Sequence, residues 1–314
     1  MKRSRFGVTD LLMLLLMAIW GINMTVIKLA LRQVPPAPFN MARLAIASTS
    51  LLLLVLLIEK SLRIRLRDLP RLLLLSFMGQ TLYQLVFIHG IGLTSASHGS
   101  VVLGSSPVLI ALITCCLGQE RLDKRGWAGI FLAFAGLYTI IVGGERLLFT
   151  SRILRGDLTI LFATLLWALY SICLRPLLKR YSPLRLTAWS FFFGALFYIP
   201  FSLGETLRFP WSLLPPSFWF QLFYSGFIGL SLGYAIWFTS VKRVGNTQTA
   251  VYSNLQPLFA IMAAHIILGE PIKPRLLLGT ASILLGILLT KWGGRGTTPS
   301  EGRSADTLPG ACSD

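Results

Sequence analysis

Ten long apolar blocks constrain this chain more than any other feature of its sequence. They fall at roughly 9–29, 38–58, 70–91, 96–117, 126–143, 157–177, 185–204, 216–239, 247–268 and 275–292. A helix needs about 20 mostly apolar residues to cross a bilayer, and these blocks take up about two-thirds of the 314 residues. The hydrocarbon core offers backbone groups no water to bond with, so runs this long and apolar must satisfy themselves as helices. Composition agrees: only 13% of residues are charged, about half the load of an average soluble chain. Most soluble enzymes and any disordered chain are excluded, and no soluble domain fits between the blocks. The expectation is an all-α integral membrane protein with ten transmembrane helices.

The net charge of +17 would on its own point to nucleic acid, but its placement makes it a topology signal. Basic residues in short loops collect on the cytoplasmic side. With the N-terminus inside, that side holds twenty Lys and Arg against eight on the other, while Arg43 falls within the second block. Both termini are therefore expected in the cytoplasm. Lys2-Arg3-Ser4-Arg5 before an apolar run resembles a signal peptide. The run continues without an A-x-A site, so it reads as an uncleaved first span. Cys115, Cys116, Cys173 and Cys312 show no C-x-x-C spacing, hence neither a zinc site nor a disulfide framework is encoded.

Aligned on itself, the chain is a repeat. From the third block onward the offset is 150 residues: Gly79 meets Gly229, Pro107 meets Pro257, and Glu120 meets Glu270. Over the first two blocks of each half the offset is 147, with Trp20 on Trp167 and Pro36 on Pro183. Each half carries five blocks, an odd number, so the second half enters the membrane from the opposite face. The organisation is a cytoplasmic N-terminus at 1–8, a first five-helix repeat at 9–143 and an external connecting loop at 144–156. A second repeat at 157–292 and a disordered cytoplasmic tail at 293–314 follow. Inverted repeats of this kind build many secondary transporters, whose substrate site lies near mid-membrane where the halves meet.

Ala18-Ile-Trp-Gly21 and its echo Leu165-Leu-Trp-Ala168, Thr94-Ser-Ala-Ser97 with Pro107 and Gly118-Gln-Glu120, and Asn246-Thr-Gln-Thr249 with Pro257 and Leu268-Gly-Glu270 together resemble a known family. The sequence is similar to the EamA-type branch of the ten-span drug/metabolite transporter superfamily over about residues 8–292. The resemblance implies a central cavity lined by both halves, with the fifth and tenth spans peripheral. It also implies transport of small solutes, by exporters of amino acids and other metabolites or by sugar and nucleotide-sugar carriers.

Helical spacing selects one face per block. Trp20, Asn23, Met24 and Ile27 share a face in the first, and Trp167, Tyr170, Ser171 and Leu174 are their repeat mates. Gln80, Tyr83, Gln84 and Phe87 share one in the third, matched by Leu230, Gly233, Tyr234 and Trp237. The fourth offers Ser97, His98, Ser105 and Ser106, and the ninth Gln248, Tyr252, Ser253, Asn254 and Gln256. Such faces are costly against lipid, so they line a wet path or bond helix to helix. Pro107 and Pro257 each remove an N–H within a helical block; a hinge for alternating access and a static kink are the two readings. The stripe Ser225, Gly229 and Gly233, and the pairs Gly129/Gly136 and Gly279/Gly286, read as surfaces for close helix approach.

Arg43 either meets a substrate carboxylate or snorkels outward, and for Lys28 snorkelling is the better reading. Glu120 and Glu270 read as helix caps or as ion pairs with Arg121 or Lys273. Of the three histidines only His98 sits among polar residues; it either carries a proton or is a satisfied core histidine. No Asp or Glu lies near the middle of a block, which argues against coupling through buried carboxylates. A path of Trp, Tyr, Asn, Gln and Ser with at most one cation suits neutral or zwitterionic solutes such as amino acids.

Enzyme readings are weaker. Gly229-Leu-Ser-Leu-Gly233 matches the G-x-S-x-G elbow, but inside an apolar block rather than at a strand–helix turn. The sequence holds no G-x-x-x-x-G-K-[ST] and no H-E-x-x-H. The sequence therefore predicts a non-ATP secondary transporter in a plasma membrane, without cofactor or metal and without nucleic acid. Its partners would be a small-molecule solute, the lipid bilayer and, through the Gly faces of the fifth and tenth blocks, a second copy in a homodimer.

Overall fold

The computed structural model describes residues 7–116, 121–141, 152–244, 249 and 252–295. Among them the regular secondary structure is helical apart from a two-residue antiparallel pairing of Arg121–Leu122 with Gly294–Arg295. Helix α1 is Val8–Ala30, where Asp10 accepts the Gly7 N–H at 2.7 Å and caps the first turn. Helix α2, Pro36–Ile58, starts on a proline, which is at no loss where the N–H would be unpaired anyway. Helix α3 runs Leu69–Ser76, widens to a π segment at Phe77–Leu82 and resumes at Tyr83–Leu93. Helix α4 is broken into Ala96–Gly104 and Ser106–Cys116. Helix α5, Lys124–Ile141, completes the first repeat.

The second repeat follows the same plan. Helices α6, Arg152–Leu178, and α7, Pro183–Arg208, are continuous. Helix α8 runs Pro216–Phe223, a π segment at Tyr224–Leu232 and Gly233–Val244. Helix α9 is Gln256–Leu268, preceded by a 3-10 turn at Ser253–Leu255 and closed by Gly269 at φ 68°, a backbone region that glycine enters at little cost. Helix α10 is Pro274–Gly293. Thus the π segments of α3 and α8 and the breaks of α4 and α9 recur at the repeat offset.

Among the described residues seven stretches are long and apolar enough to cross a membrane: Val8–Ala30, Pro36–Ile58, Leu66–Leu93, Ala96–Ile113, Arg152–Leu178, Pro183–Arg208 and Pro216–Arg243. Gln256–Leu268 and Pro274–Leu289 are shorter apolar helices. Large apolar side chains such as Leu57, Leu74, Phe131, Leu207, Phe220 and Ile266 stand exposed on the outside of the bundle. Water would penalise that surface and lipid does not, so this is a multi-span membrane fold.

Two boundaries shift from the sequence reading. The connecting loop expected at 144–156 gives up residues 152–156 to α6, because Arg152 and Arg155 lie on exposed positions of a helix that extends beyond its apolar block. In the tail expected from 293, Gly294–Arg295 pairs with the strand before α5. Arg146, Glu120, Gln248 and the rest of the tail lie outside the described residues.

Packing obeys a pseudo-two-fold axis. Helix α2 lies on α7 and α5 on α10, each helix against its own repeat mate. The contact of α1 with α9 is mirrored by that of α6 with α4, and α3 on α6 by α8 on α1. Between α5 and α10 the backbones nearly touch: a Cβ added to Gly136 would sit 2.7 Å from the Gly279 carbonyl oxygen, which fits the expected close approach. We call the end where α1 begins the near end and the other the far end. The α6 residue Asp157 meets Thr94 at the end of α3 and His98 at the start of α4. Lys28, near the end of α1, reaches the same place. At the near end Asp68, just before α3, pairs with Arg180 just after α6 at 2.6 Å. Helix α6 thus starts at the far end and α1 at the near end, the inverted relation that an odd helix count demands.

Candidate functional site

Midway between the two ends, α1, α2, α3, α4, α6, α8 and α9 surround a cavity to which both halves contribute. Its free volume is about 60 Å³, room for a few waters and below the roughly 300–1,000 Å³ of sites that enclose drug-sized ligands. One wall is aromatic. Trp20 lies with its ring centroid 6.2 Å from Trp167, 5.9 Å from Tyr234 and 5.4 Å from Trp237. Tyr83 continues the wall, 5.7 Å from Trp167. Such rings prefer edge-on and tilted contacts because their quadrupoles repel face to face, and the Trp20–Trp167 planes cross at 85°.

The local backbone makes room for this wall. The π segment of α8 presents the Gly229 carbonyl to the Trp20 indole N–H at 2.9 Å. A Cβ on Gly233 would stand 2.4 Å from Trp20 Nε1, and one on Gly229 2.8 Å from Asn23 Nδ2. The stripe of small residues therefore seats the Trp20 and Asn23 side chains of α1, a finer role than helix approach alone. Short π segments recur at functional sites because the extra residue turns side chains off the regular helical face.

The rest of the lining is polar. Asn23, Arg43, Gln84, Ser106, Ser253 and Gln256 face the cavity. Gln84 makes a long 3.5 Å contact with the Tyr234 hydroxyl. The carbonyl oxygens of Asn23 and Gln84 and the Trp237 indole N–H have no hydrogen-bond partner among the described residues. Buried polar atoms normally find partners, so these are groups held ready for water or a solute. Arg43 is 1% exposed, which removes the snorkelling alternative. Its Nη1 donates to Asn40 Oδ1 at 2.9 Å and its Cζ lies 5.5 Å from the centre of the Phe39 ring.

Of the residues selected from sequence, Trp20, Asn23, Arg43, Tyr83, Gln84, Trp167, Tyr234, Trp237 and Gln256 come together here. Others do not line it. Gln80 is fully buried and packs on Gly194 of α7, and Tyr170 packs on Gly79. They belong to a buried polar layer behind the wall, since a helical face wider than one side chain serves both cavity and neighbour. Ser105 bonds back to the Val102 carbonyl at 2.6 Å, inside the break of α4. Tyr252 donates to Asp10 at the near end, and His98 lies 3.0 Å from Asp157 at the far end. The Asn254 side chain lies outside the described residues.

At Pro107 and Pro257 the helices are interrupted rather than merely bent. Each proline sits in the first turn of a new segment, the position that tolerates its missing N–H. The two breaks also meet: a Cβ on Gly104 would lie 2.7 Å from Pro257 Cγ.

The far end holds what sequence reasoning missed. Asp157 is fully buried, accepts from Thr94 and touches His98 Nδ1 at 3.0 Å. The repeat carried the signal, because Asp10 and Asp157 are related by the same offset of 147 as Trp20 and Trp167. Lys28, read as a snorkelling residue, instead donates to the carbonyl of Ile91 at 2.8 Å and to those of Gly92 and Thr94. It caps α3, whose terminal carbonyls attract a cation. Glu270 accepts from Ala96 N at 2.9 Å, Ser97 N at 3.1 Å and Ser97 Oγ at 2.6 Å. It is a cap, as expected, but of α4 in the other repeat.

A membrane bundle of two inverted repeats closing on one polar and aromatic cavity is an architecture shared by many transporters. The EamA-like transporter family matches residues 7–142 and 154–292, one copy per repeat, and the chain belongs to that family. It is 28% identical over 276 residues to the uncharacterized transporter YetK of Bacillus subtilis, covering 87% of this chain and 84% of that one. To an uncharacterized transporter of Archaeoglobus fulgidus it is 29% identical over 284 residues, 90% of this chain and 96% of the relative. A protein of Streptantibioticus cattleyicolor named a probable terminal-alkyne amino-acid exporter is 26% identical over 281 residues, 87% and 92% of the two chains. A solved crystal structure aligns at a TM-score of 0.65 and 17% identity, covering 90% of this chain and 96% of the other, and so shares the fold.

Proposed function

We propose that this protein is a secondary transporter that exports small neutral or zwitterionic metabolites, amino acids among them, by alternating access. The observation that carries the reading is the mid-bundle cavity itself, where unpartnered Asn23, Gln84 and Trp237 atoms stand beside the rings of Trp20, Tyr83, Phe87, Trp167 and Tyr234. Water-sized polar demands in an apolar wall suit a small amphiphilic solute. The similarity to a probable amino-acid exporter supports the same class. In this reading the near end faces the cytoplasm, following the basic excess, and the membrane is the plasma membrane. The breaks at Pro107 and Pro257 are the hinges. No catalytic role is assigned to any residue.

Growth of cells expressing the protein, challenged with inhibitory amino acids, their analogues and cationic drugs, tests the proposal. Resistance to one chemical class, lost in Trp20→Ala or Gln84→Ala at equal expression, is the expected result. Added sensitivity would reverse the direction to uptake, and no effect in any class would count against amino acids as cargo.

A further inference from the structure

Among the described residues Arg43 is a cation without a counter-ion. Its guanidinium stays protonated in proteins, and it is buried to 1% exposure in the middle of a membrane bundle. Among the described residues the ion pairs are His98–Asp157, Arg180–Asp68 and Arg185–Glu59, and none includes Arg43. Its one hydrogen bond goes to the neutral amide of Asn40, and its Nε has no partner. The hydroxyls of Tyr234, Tyr83 and Tyr198 lie near it, and a neutral hydroxyl does not neutralise a charge. A buried charge in a bilayer is costly and, where it persists, is paired or serves a pathway. Here the missing partner has a place to sit, because Arg43 lines the central cavity.

We propose that Arg43 binds the carboxylate of the transported solute and makes the cavity selective for α-amino acids in their zwitterionic form. The inference rests on reading the protein as a carrier of small metabolites and names the chemistry that carrier recognises. A planar guanidinium meets a carboxylate through two parallel N–H bonds. The ammonium of the same solute falls to neutral acceptors, since the cavity lining contains no Asp or Glu. Asn23 Oδ1 and Gln84 Oε1 are unpartnered there, and the faces of Trp20, Trp167 and Trp237 attract a cation. Those rings also take an apolar side chain. One fixed positive charge balances one carboxylate; it leaves a phosphomonoester dianion half compensated and repels a cationic amine. The second repeat supplies no matching cation, because the position related to Arg43 is Ser190. Recognition is therefore lopsided within a symmetric frame, which fits a solute with two unlike ends.

The test titrates the purified full-length protein in lipid nanodiscs, following its intrinsic tryptophan fluorescence. The probes are the twenty common L-amino acids, the amide of each, pyruvate and bromide. At least one amino acid is expected to bind about thirtyfold or more tighter than its amide, the loss that follows when one partner of a buried charge pair is removed. In Arg43→Gln that preference collapses to near unity, while Arg43→Lys keeps the preference at reduced affinity. The parent comparison stands by itself should Arg43→Gln fail to fold. The inference is overturned if acid and amide bind alike in the parent, or if Arg43→Gln retains the preference. Bromide binding that no amino acid displaces would also overturn it, making Arg43 a halide site. Transport of some other solute class with no amino-acid binding would sink this inference and leave the carrier reading standing. Failure to move any solute across liposomes would sink the carrier reading itself.

Discussion

At the scale of single residues, the cavity depends on two fits that leave little tolerance. Gly233 faces Trp20 so closely that Gly233→Ala must displace the indole. Overpacking of this kind costs about 1–3 kcal/mol, so a lower unfolding midpoint in detergent together with reduced export is expected. Trp20→Phe keeps the ring but removes the N–H that satisfies the Gly229 carbonyl. An orphaned buried acceptor costs about 1–3 kcal/mol, and thermal unfolding of the variant against the parent measures it. Much of this site was legible in the sequence, because Trp20, Asn23, Tyr83, Gln84 and Tyr234 are polar or aromatic where lipid would demand Leu. What the spacing left open was depth. Gln80 and Gln84 share a helical face, yet only Gln84 reaches the cavity, since Gly194 of a distant helix admits Gln80 between α3 and α7. Arg43 was placed in its span by counting, but only the fold shows that no acid among the described residues pairs with it.

Between elements, two repeat-related aspartates sit at opposite ends of the bundle. Asp157 of α6 holds Thr94 and His98 at the far end, and Asp10 of α1 holds Tyr252 at the near end. Each ties the first turns of a helix to a broken helix, α4 or α9, of the other repeat. In an alternating-access carrier these contacts act as latches that must part in turn. Their strength is read by labelling Ser106→Cys, a cavity position, in a background whose native cysteines are serine. Asp157→Asn is expected to speed labelling from the far side about tenfold or more, since a hydrogen bond to a charged group contributes about 1.5–3 kcal/mol. Tyr252→Phe is expected to speed it from the near side. Equal rates in parent and variants would show that the aspartates merely cap their helices. These latches escaped the sequence reading because Asp157 is the first residue of its apolar block, and hydropathy alone leaves a charged residue at a block's edge facing water. The helix extends past the block to Arg152, and that extension moves Asp157 away from the helix end, where it is fully buried. Lys28 was misjudged for a related reason: hydropathy ranks a lysine near a helix end by its distance to water, whereas the nearest partners were the free carbonyls ending α3.

Across the whole molecule, the inverted repeat was fully readable from the offsets of Gly, Pro, Trp and Glu, and the packing of α2 on α7 and α5 on α10 gives it physical form. Symmetry of this kind makes the two ends of the bundle near-equivalents, so one set of contacts closed at one end implies a related arrangement at the other. Orientation adds a prediction: epitopes at either terminus should be reached by antibody or protease only from the cytoplasmic side of sealed vesicles. Solute is expected to pass through the cavity between the repeats. Counterflow tests it most directly, with the purified full-length protein in liposomes preloaded with an L-amino acid mixture and labelled amino acids outside. The parent should accumulate label, and Trp20→Ala and Gln84→Ala should reduce the rate at least about tenfold at equal reconstitution, a loss of about 1.4 kcal/mol. Label that accumulates equally in the parent and both variants would place the path elsewhere, and no accumulation of any amino acid would contradict the account.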